Sequence, residues 1–457
     1  MCNAPEGGED MKHKLWRFMR LSIAGAALVT LGAVLFGMSA VARPKHSAKP
    51  KPKPLSANAK LYAKGRNVFR FDTFGDQAFW GGQLQLHKAI EGSKLGGVGP
   101  GVSPKTALAV GLKVDANALP ASLITALKQG KVNLNSPKTT LALLKLNAVV
   151  GVKGFFNKEG TLSSVGLTCA VCHSTVNNSV APGIGQRRDG WPNRDLNVGA
   201  VVKLAPNLKP VTNVLGVDAA TVAKVVSAWG PGKFDAELFL DGKGFQPDGR
   251  SGAALIPPAF GLAGVNLHTW TGWGSITYWN AFVANLEMHG IGNFLDARLD
   301  NAQQFPVAAK NGFGHVHHSK DLITPVLGAL EYYQLGLPVP KPPKGSFNAA
   351  AAARGKGLFD GKATCSTCHV PPTFSAPGNN LVTPQQVCED SFEADRSPTH
   401  EYRIAPLRGL FSHGKGGYYH DGRFPTLKAV VQHYDSCFNL HLTAGQQGDL
   451  VQYLKSL

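Results

Sequence analysis

Cys169-Ala-Val-Cys172-His173 and Cys365-Ser-Thr-Cys368-His369 are one string, C-x-x-C-H, written twice in the same chain. The spacing is that of a c-type haem attachment site. Two thiols add across the two vinyl groups of a porphyrin, and the adjacent imidazole reaches the iron as its proximal ligand. Two intervening residues let one short turn present both sulfurs and the ring to a single macrocycle. One copy alone is also what half of a zinc site looks like. Two copies, each followed at once by His, predict two covalently bound haem c groups. Cys169, Cys172, His173, Cys365, Cys368 and His369 are the residues that would hold them.

The chain around them has 457 residues, room for two or three domains. Its 53 Gly and 30 Pro predict long loops wrapped around a core that is partly cofactor. The N-terminus predicts export: Lys12, Lys14, Arg17 and Arg20 form a basic region, Leu21 to Val41 is an apolar run, and Ala40-Val41-Ala42 is a cleavage pattern. Residues 1–42 are therefore expected to be a signal peptide, with translation starting at Met11, and the protein to be periplasmic. The competing reading is an uncleaved membrane anchor, since the run is long enough to span. Of seven Cys, Cys2 falls in this segment, four belong to the motifs, and Cys388 and Cys437 remain. In an oxidising compartment the simplest reading is a disulfide between them; two buried thiols are the alternative. The formal net charge of +18 is more than the haem propionates would neutralise. A basic surface suits an acidic electron donor or acceptor. Nothing resembles a basic-aromatic module for nucleic acid.

Along the chain, 43–56 is a Pro/Lys-rich linker. Residues 59–69 are spaced for a short helix. Residues 105–150 alternate apolar stretches that periodicity alone leaves as helix or buried strand. The run 183–197 after the first motif is dense in polar side chains. Arg187, Arg188 and Arg194 in it are candidates to hold propionates, the alternative being a solvated loop. Residues 256–290 gather His268, Trp270, Trp273, Tyr278, Trp279, Glu287, Met288 and His289, the best candidate wall for the first haem's distal side. The His run 315–318 is a weaker candidate. A Pro-rich linker at 338–346 separates an N-terminal haem domain, 57–337, from a C-terminal one, 347–457. The latter opens on a strong helix former, Phe347 to Phe359, and can close on a helix over 443–456. The expected fold is mainly α, with two c-type cytochrome domains, the first carrying long loop-rich insertions.

From Tyr402 to Tyr434 the chain reads YRIAPLRGLFSHGKGGYYHDGRFPTLKAVVQHY. With two C-x-x-C-H sites upstream, this resembles the bacterial di-haem cytochrome c peroxidase and MauG superfamily. The resemblance is carried by Pro406-Leu-Arg408, His420-Asp421-Gly422, Thr426-Leu427 and Val430-Val431. It is specific for the C-terminal third and loose elsewhere, and residues 70–345 exceed that family's usual N-terminal domain. The resemblance implies an exported redox protein. Electrons would enter at the C-terminal haem, and peroxide or another small oxidant would react at the N-terminal one, with Trp270 or Trp273 between them. It adds Arg408 to the cofactor-binding set and admits a calcium ion between the domains. The family's usual axial Met is excluded, because no Met follows Met288. Its position falls on Tyr434, where MauG-like members carry a ligating Tyr; His433 is the alternative. For the first haem the distal side is expected to be open, ligated by Met288 or His289, or to hold a water on Gln186. Glu287 is the candidate acid/base group. Two rival functions stand beside the peroxidase: a di-haem electron-transfer protein or respiratory subunit, and an oxygenase of an organic substrate.

Overall fold

The computed structural model describes residues 56–457. The expected signal segment, and all but the last residue of the Pro/Lys tract, lie outside them. The chain is mainly helical, and its strands pair two by two into small sheets. Among the described residues no single helix is long and apolar enough to cross a membrane.

Two pairs of crossed helices frame the two motifs, and they are built alike. Asn348 accepts a hydrogen bond from the Ala351 amide and so caps the Ala-rich helix Ala349–Asp360. That helix crosses Ala444–Ser456, which starts on a capping box of Thr443 and Gln446. At the crossing Gly355 leaves no room for a Cβ against the Asp449 carbonyl. One turn on, Phe359 meets the Tyr453 ring edge-on at 5.2 Å. The N-terminal half repeats this. The helix Ala57–Phe71 crosses Thr324–Leu335, Gly65 sits against the Ala329 carbonyl, and Phe69 lies 5.5 Å from the Tyr333 ring. Gly65 and Phe69, like Gly355 and Phe359, are four residues apart, one helical turn, so each glycine and its aromatic share a face.

Residues 105–150 carry three helices, Pro104–Ala109, Ala121–Lys128 and Pro137–Lys145, and one short strand, Val114–Asp115. Pro at the first turn of two of them, after Ser103 and Ser136, is the signal that periodicity lacked. The hairpin Val152–Phe156 with Leu162–Leu167 then delivers the chain to the first motif. A second hairpin, Ser174–Val176 with Arg187–Asp189, carries it away.

The Pro-rich segment 338–346 joins halves that are packed on each other, and Ala57–Leu457 forms one compact unit. The tightest tie is ionic. Arg396 is fully buried, with Nε 2.8 Å from Asp241 and an Nη 2.8 Å from Asp235, both in the other half. Trp191 is packed between halves, edge-on to Phe260 at 6.3 Å and to Phe411 at 5.9 Å. Cys388 and Cys437 form a disulfide closing 49 residues. A loop of that length stabilises by about 4 kcal/mol in the chain-entropy view.

Candidate functional site

The first motif lies on a single helical turn, Ala170–His173, that opens onto a cavity of about 330 Å³. That volume is at the low end of the ~300–1,000 Å³ typical of cofactor and ligand sites. Cys169, Cys172 and His173 all line it. His173 Nδ1 lies 3.2 Å from the Pro257 carbonyl oxygen. A carbonyl can only accept, so Nδ1 carries the proton and Nε2 keeps its lone pair for a ligand. Burial pushes the imidazole down to about 4, which keeps it neutral, and raises both thiols to about 12.

Another part of the lining comes from two π-helical turns locked together. One is Ala78–Gln83, the other Val283–Glu287. In the second, the Met288 amide reaches back five residues to the Val283 carbonyl, at 2.8 Å. Such widened turns displace side chains from the helical register and recur at functional sites. Trp80 Nε1 donates to the Met288 carbonyl at 3.1 Å, and Phe79 stacks on the His289 ring at 3.7 Å. His289 holds a left-handed φ of 58°, strained for a non-glycine residue. Glu287, Met288 and His289 thus all line the cavity.

Glu287 is the distinctive member. It is 8% exposed, and neither carboxyl oxygen has a hydrogen-bond partner. Burial, reinforced by the negative charges of Glu237 and Asp235, holds its pKa well above the usual carboxylate range. Its protonated form is therefore favoured at the cavity. Glu237 and Glu393 line the same cavity and are pushed up for the same reason, Glu237 to about 7. Neither makes a hydrogen bond to the nearby Arg396, whose donors go to Asp235, Asp241 and the Gly252 carbonyl.

Several expected residues lie elsewhere. Gln186 is exposed, its backbone and side chain tied to Asn177 across a hairpin, and it does not line the cavity. Trp273 does not line the cavity and packs with Phe282 and Phe305 beneath Arg298, whereas its neighbour Trp279 does line it. Trp270 does line the cavity, its Nε1 donating to the Leu255 carbonyl at 2.8 Å. Arg187 is taken by Asp115, and Arg188 lies over Trp191. Arg408 is exposed. In its place Arg403 lines the first cavity, and buried Arg194 reaches toward the Lys415 carbonyl and Tyr418. His315 is exposed beside Asp300. Among the described residues no group of three or more His, Cys, Asp or Glu side chains could hold a metal ion.

At the second motif both cysteines are half-buried and pack against core clusters. Cys365 lies against the core of Phe359, Leu410 and Tyr453, and Cys368 against that of Val382, Tyr402 and Ile404. His369 Nδ1 is 3.0 Å from the Phe374 carbonyl, the same tautomer-fixing contact as in the first motif. The helix Leu427–Cys437 separates the two proposed axial residues. His433 Nε2 is 2.9 Å from the Cys388 carbonyl and so faces the disulfide. Tyr434 faces the motif: burial raises its pKa, and the thiols of Cys365 and Cys368 add to the rise. Beside it the Tyr419 hydroxyl is buried without a geometrically sound hydrogen bond, on a residue with φ of 69°. The sequence block His420-Asp421-Gly422 carries the resemblance, but the sequence alone gives neither Tyr419 nor His420 a place at the site. The latter's Nδ1 is 2.6 Å from Glu389, and its Nε2 is buried without a partner.

No family model and no curated protein matches the chain. Among solved structures it is similar to a chain of hydrazine synthase from Kuenenia stuttgartiensis, solved under 20 bar of xenon. The match has 18% identity over 49% of this chain and 86% of that one, with a TM-score of 0.25, too low to carry an argument.

Proposed function

We propose that this chain is an exported di-haem c-type cytochrome with two cytochrome domains, in which a small oxidant such as peroxide reacts at the N-terminal site and electrons enter at the C-terminal site. The residues fit two such groups. Each C-x-x-C-H has its His held by Nδ1 to a backbone carbonyl, and each is framed by a Gly-aromatic helix crossing. A single observation carries the division of labour. The first motif faces an apolar cavity that Glu287 also lines without a hydrogen-bond partner, whereas at the second both cysteines pack against core residues and their thiols lie close enough to Tyr434 to raise its pKa.

Haem iron would supply one-electron and peroxide chemistry at the first site. The chain's own residues do the rest. Cys169 and Cys172 anchor the group, and His173 offers Nε2 as its proximal ligand. Trp80 fixes the Glu287–His289 wall through the Met288 carbonyl. Glu287 holds a proton at neutral pH and can pass it to an oxygen in the cavity, general acid catalysis worth about 10²–10⁴ in rate. At the second site Tyr434 is the axial candidate. The aromatic contacts of Trp191 with Phe260 and Phe411 offer a route between halves in place of Trp273. The net charge of +18 suits an acidic periplasmic partner.

The rival reading, an electron-transfer protein without substrate chemistry, is favoured by Met288 and His289, since either lines the cavity and could close the sixth position. The spin state of the first haem separates the two. A five-coordinate, high-spin signal that responds to peroxide and carbon monoxide supports the enzyme. Two low-spin haems that ignore both overturn it.

A further inference from the structure

The short strand Tyr402–Arg403 and the two residues after it touch both motifs. Tyr402 and Ile404 point into the core that packs Cys368. Ser375 Oγ donates to the Ile404 carbonyl, and the Ala405 backbone lies against the His369 ring. Side chains alternate along a strand, so Arg403 points the other way, into the cavity of the first motif. There it is a half-buried cation without an anion. One Nη donates to the Leu267 carbonyl at 3.1 Å, Nε has no partner, and among the described residues no carboxylate pairs with it. A guanidinium whose Nε is shut off from water and unpaired is costly unless something anionic completes it. His268, also in the lining, adds no negative charge. The acids that share the cavity, Glu237, Glu287 and Glu393, make no ion pair with Arg403. What is missing is a carboxylate that arrives with the occupant.

We infer that Arg403, carried by the C-terminal half, is the binding partner of a propionate of the haem attached at Cys169 and Cys172. The inference rests on the di-haem reading above and goes beyond it, since it makes one strand the physical link between the two sites. The strand's side chain sets the charge around the first haem while its backbone abuts the proximal ligand of the second.

The test is a spectroelectrochemical titration of the intact di-haem protein, comparing wild type with Arg403→Gln and Arg403→Lys. Removing one positive charge near the iron disfavours the reduced state. At an effective dielectric of about 20 and a separation of about 10 Å this is roughly a tenfold drop in the reduced-to-oxidised ratio of the first haem. The second haem should keep its midpoint. Arg403→Lys restores charge without the planar fork, and should recover most of the shift. An unchanged first-haem midpoint in Arg403→Gln overturns the inference, as does an equal shift of both haems or a failure of Lys to rescue. If Gln blocks folding, the Lys variant decides: a first-haem midpoint within twofold of wild type in reduced-to-oxidised ratio supports the inference, and a larger displacement overturns it. Haem content, read separately from the pyridine haemochrome spectrum, reports on the di-haem reading itself. A wild-type chain without haem at the first motif sinks that reading whatever Arg403 does.

Discussion

Replacing Arg396 by Met tests how the halves are held together. The guanidinium is fully buried and makes four hydrogen bonds: two to Asp241 at 2.8 and 3.1 Å, one to Asp235 at 2.8 Å and one to the Gly252 carbonyl at 3.1 Å. Charge-assisted bonds are worth about 1.5–3 kcal/mol each in isolation, but they are not additive, and a bereft carboxylate can take up a proton. Removing one partner of a buried ion pair typically costs about 3–5 kcal/mol, and about 4 kcal/mol is expected here. Equilibrium urea unfolding at pH 7, followed by haem absorbance and far-UV circular dichroism, measures it. The pH dependence has a definite sign. Without Arg396 the folded-state pKa of Asp235, already raised by burial, rises further. The variant's deficit is therefore full above that pKa and shrinks as pH falls through it. A loss under 1 kcal/mol at pH 7, or a deficit that does not shrink on acidification, would refute the view that this cluster is held by its one cation.

Two further outcomes follow from the sites. Glu287→Gln keeps a neutral side chain of the same shape, so haem content should be unchanged while peroxide turnover at pH 7 falls about 10²–10⁴-fold; turnover within threefold of wild type removes Glu287 from the mechanism. The same substitution should change stability against pH. The folded pKa of Glu287 is raised, so its contribution is full below the unfolded carboxylate value and is lost as pH rises, by roughly 1.4 kcal/mol per pH unit for one proton. The wild type should therefore weaken relative to Glu287→Gln between pH 5 and 8, and parallel curves would contradict the buried neutral acid. Tyr434→Phe should alter the absorption and electron paramagnetic resonance signals of the second haem alone. An unaltered second haem would show that Tyr434 only packs there.

How much of this was legible in the sequence depended on whether the chemistry is local. The motifs, the helix before the second one and the Thr443 start of the last helix are short-range signals, and they stand where expected. The gathering of Glu287, Met288 and His289 was also readable, because the three are consecutive. What made them a wall was not: the π-turn at Val283–Glu287 and its lock by Phe79 and Trp80 join residues about two hundred positions apart. Gln186 misled because a G-x-G stretch near a haem motif suggests a distal loop, whereas Asn177 ties it outward. Arg408 misled because an Arg in a family block invites a role. Strand alternation at Tyr402–Ile404 instead brought Arg403 inward. The closing helix of the first half, Thr324–Leu335, was missed because its apolar residues follow no clear amphipathic pattern. Its partner Gly65 acquires meaning only beside Ala329.

The central claim is that one chain carries two covalent haems, one at each motif. Intact-mass spectrometry of the purified protein, with pyridine haemochrome quantitation, tests it. The account predicts the polypeptide plus two haem masses. It also predicts that one haem is lost when Cys169 and Cys172 become Ala, and the other when Cys365 and Cys368 do. A wild-type chain with one haem or none, or a double-Ala variant that keeps both, would contradict it.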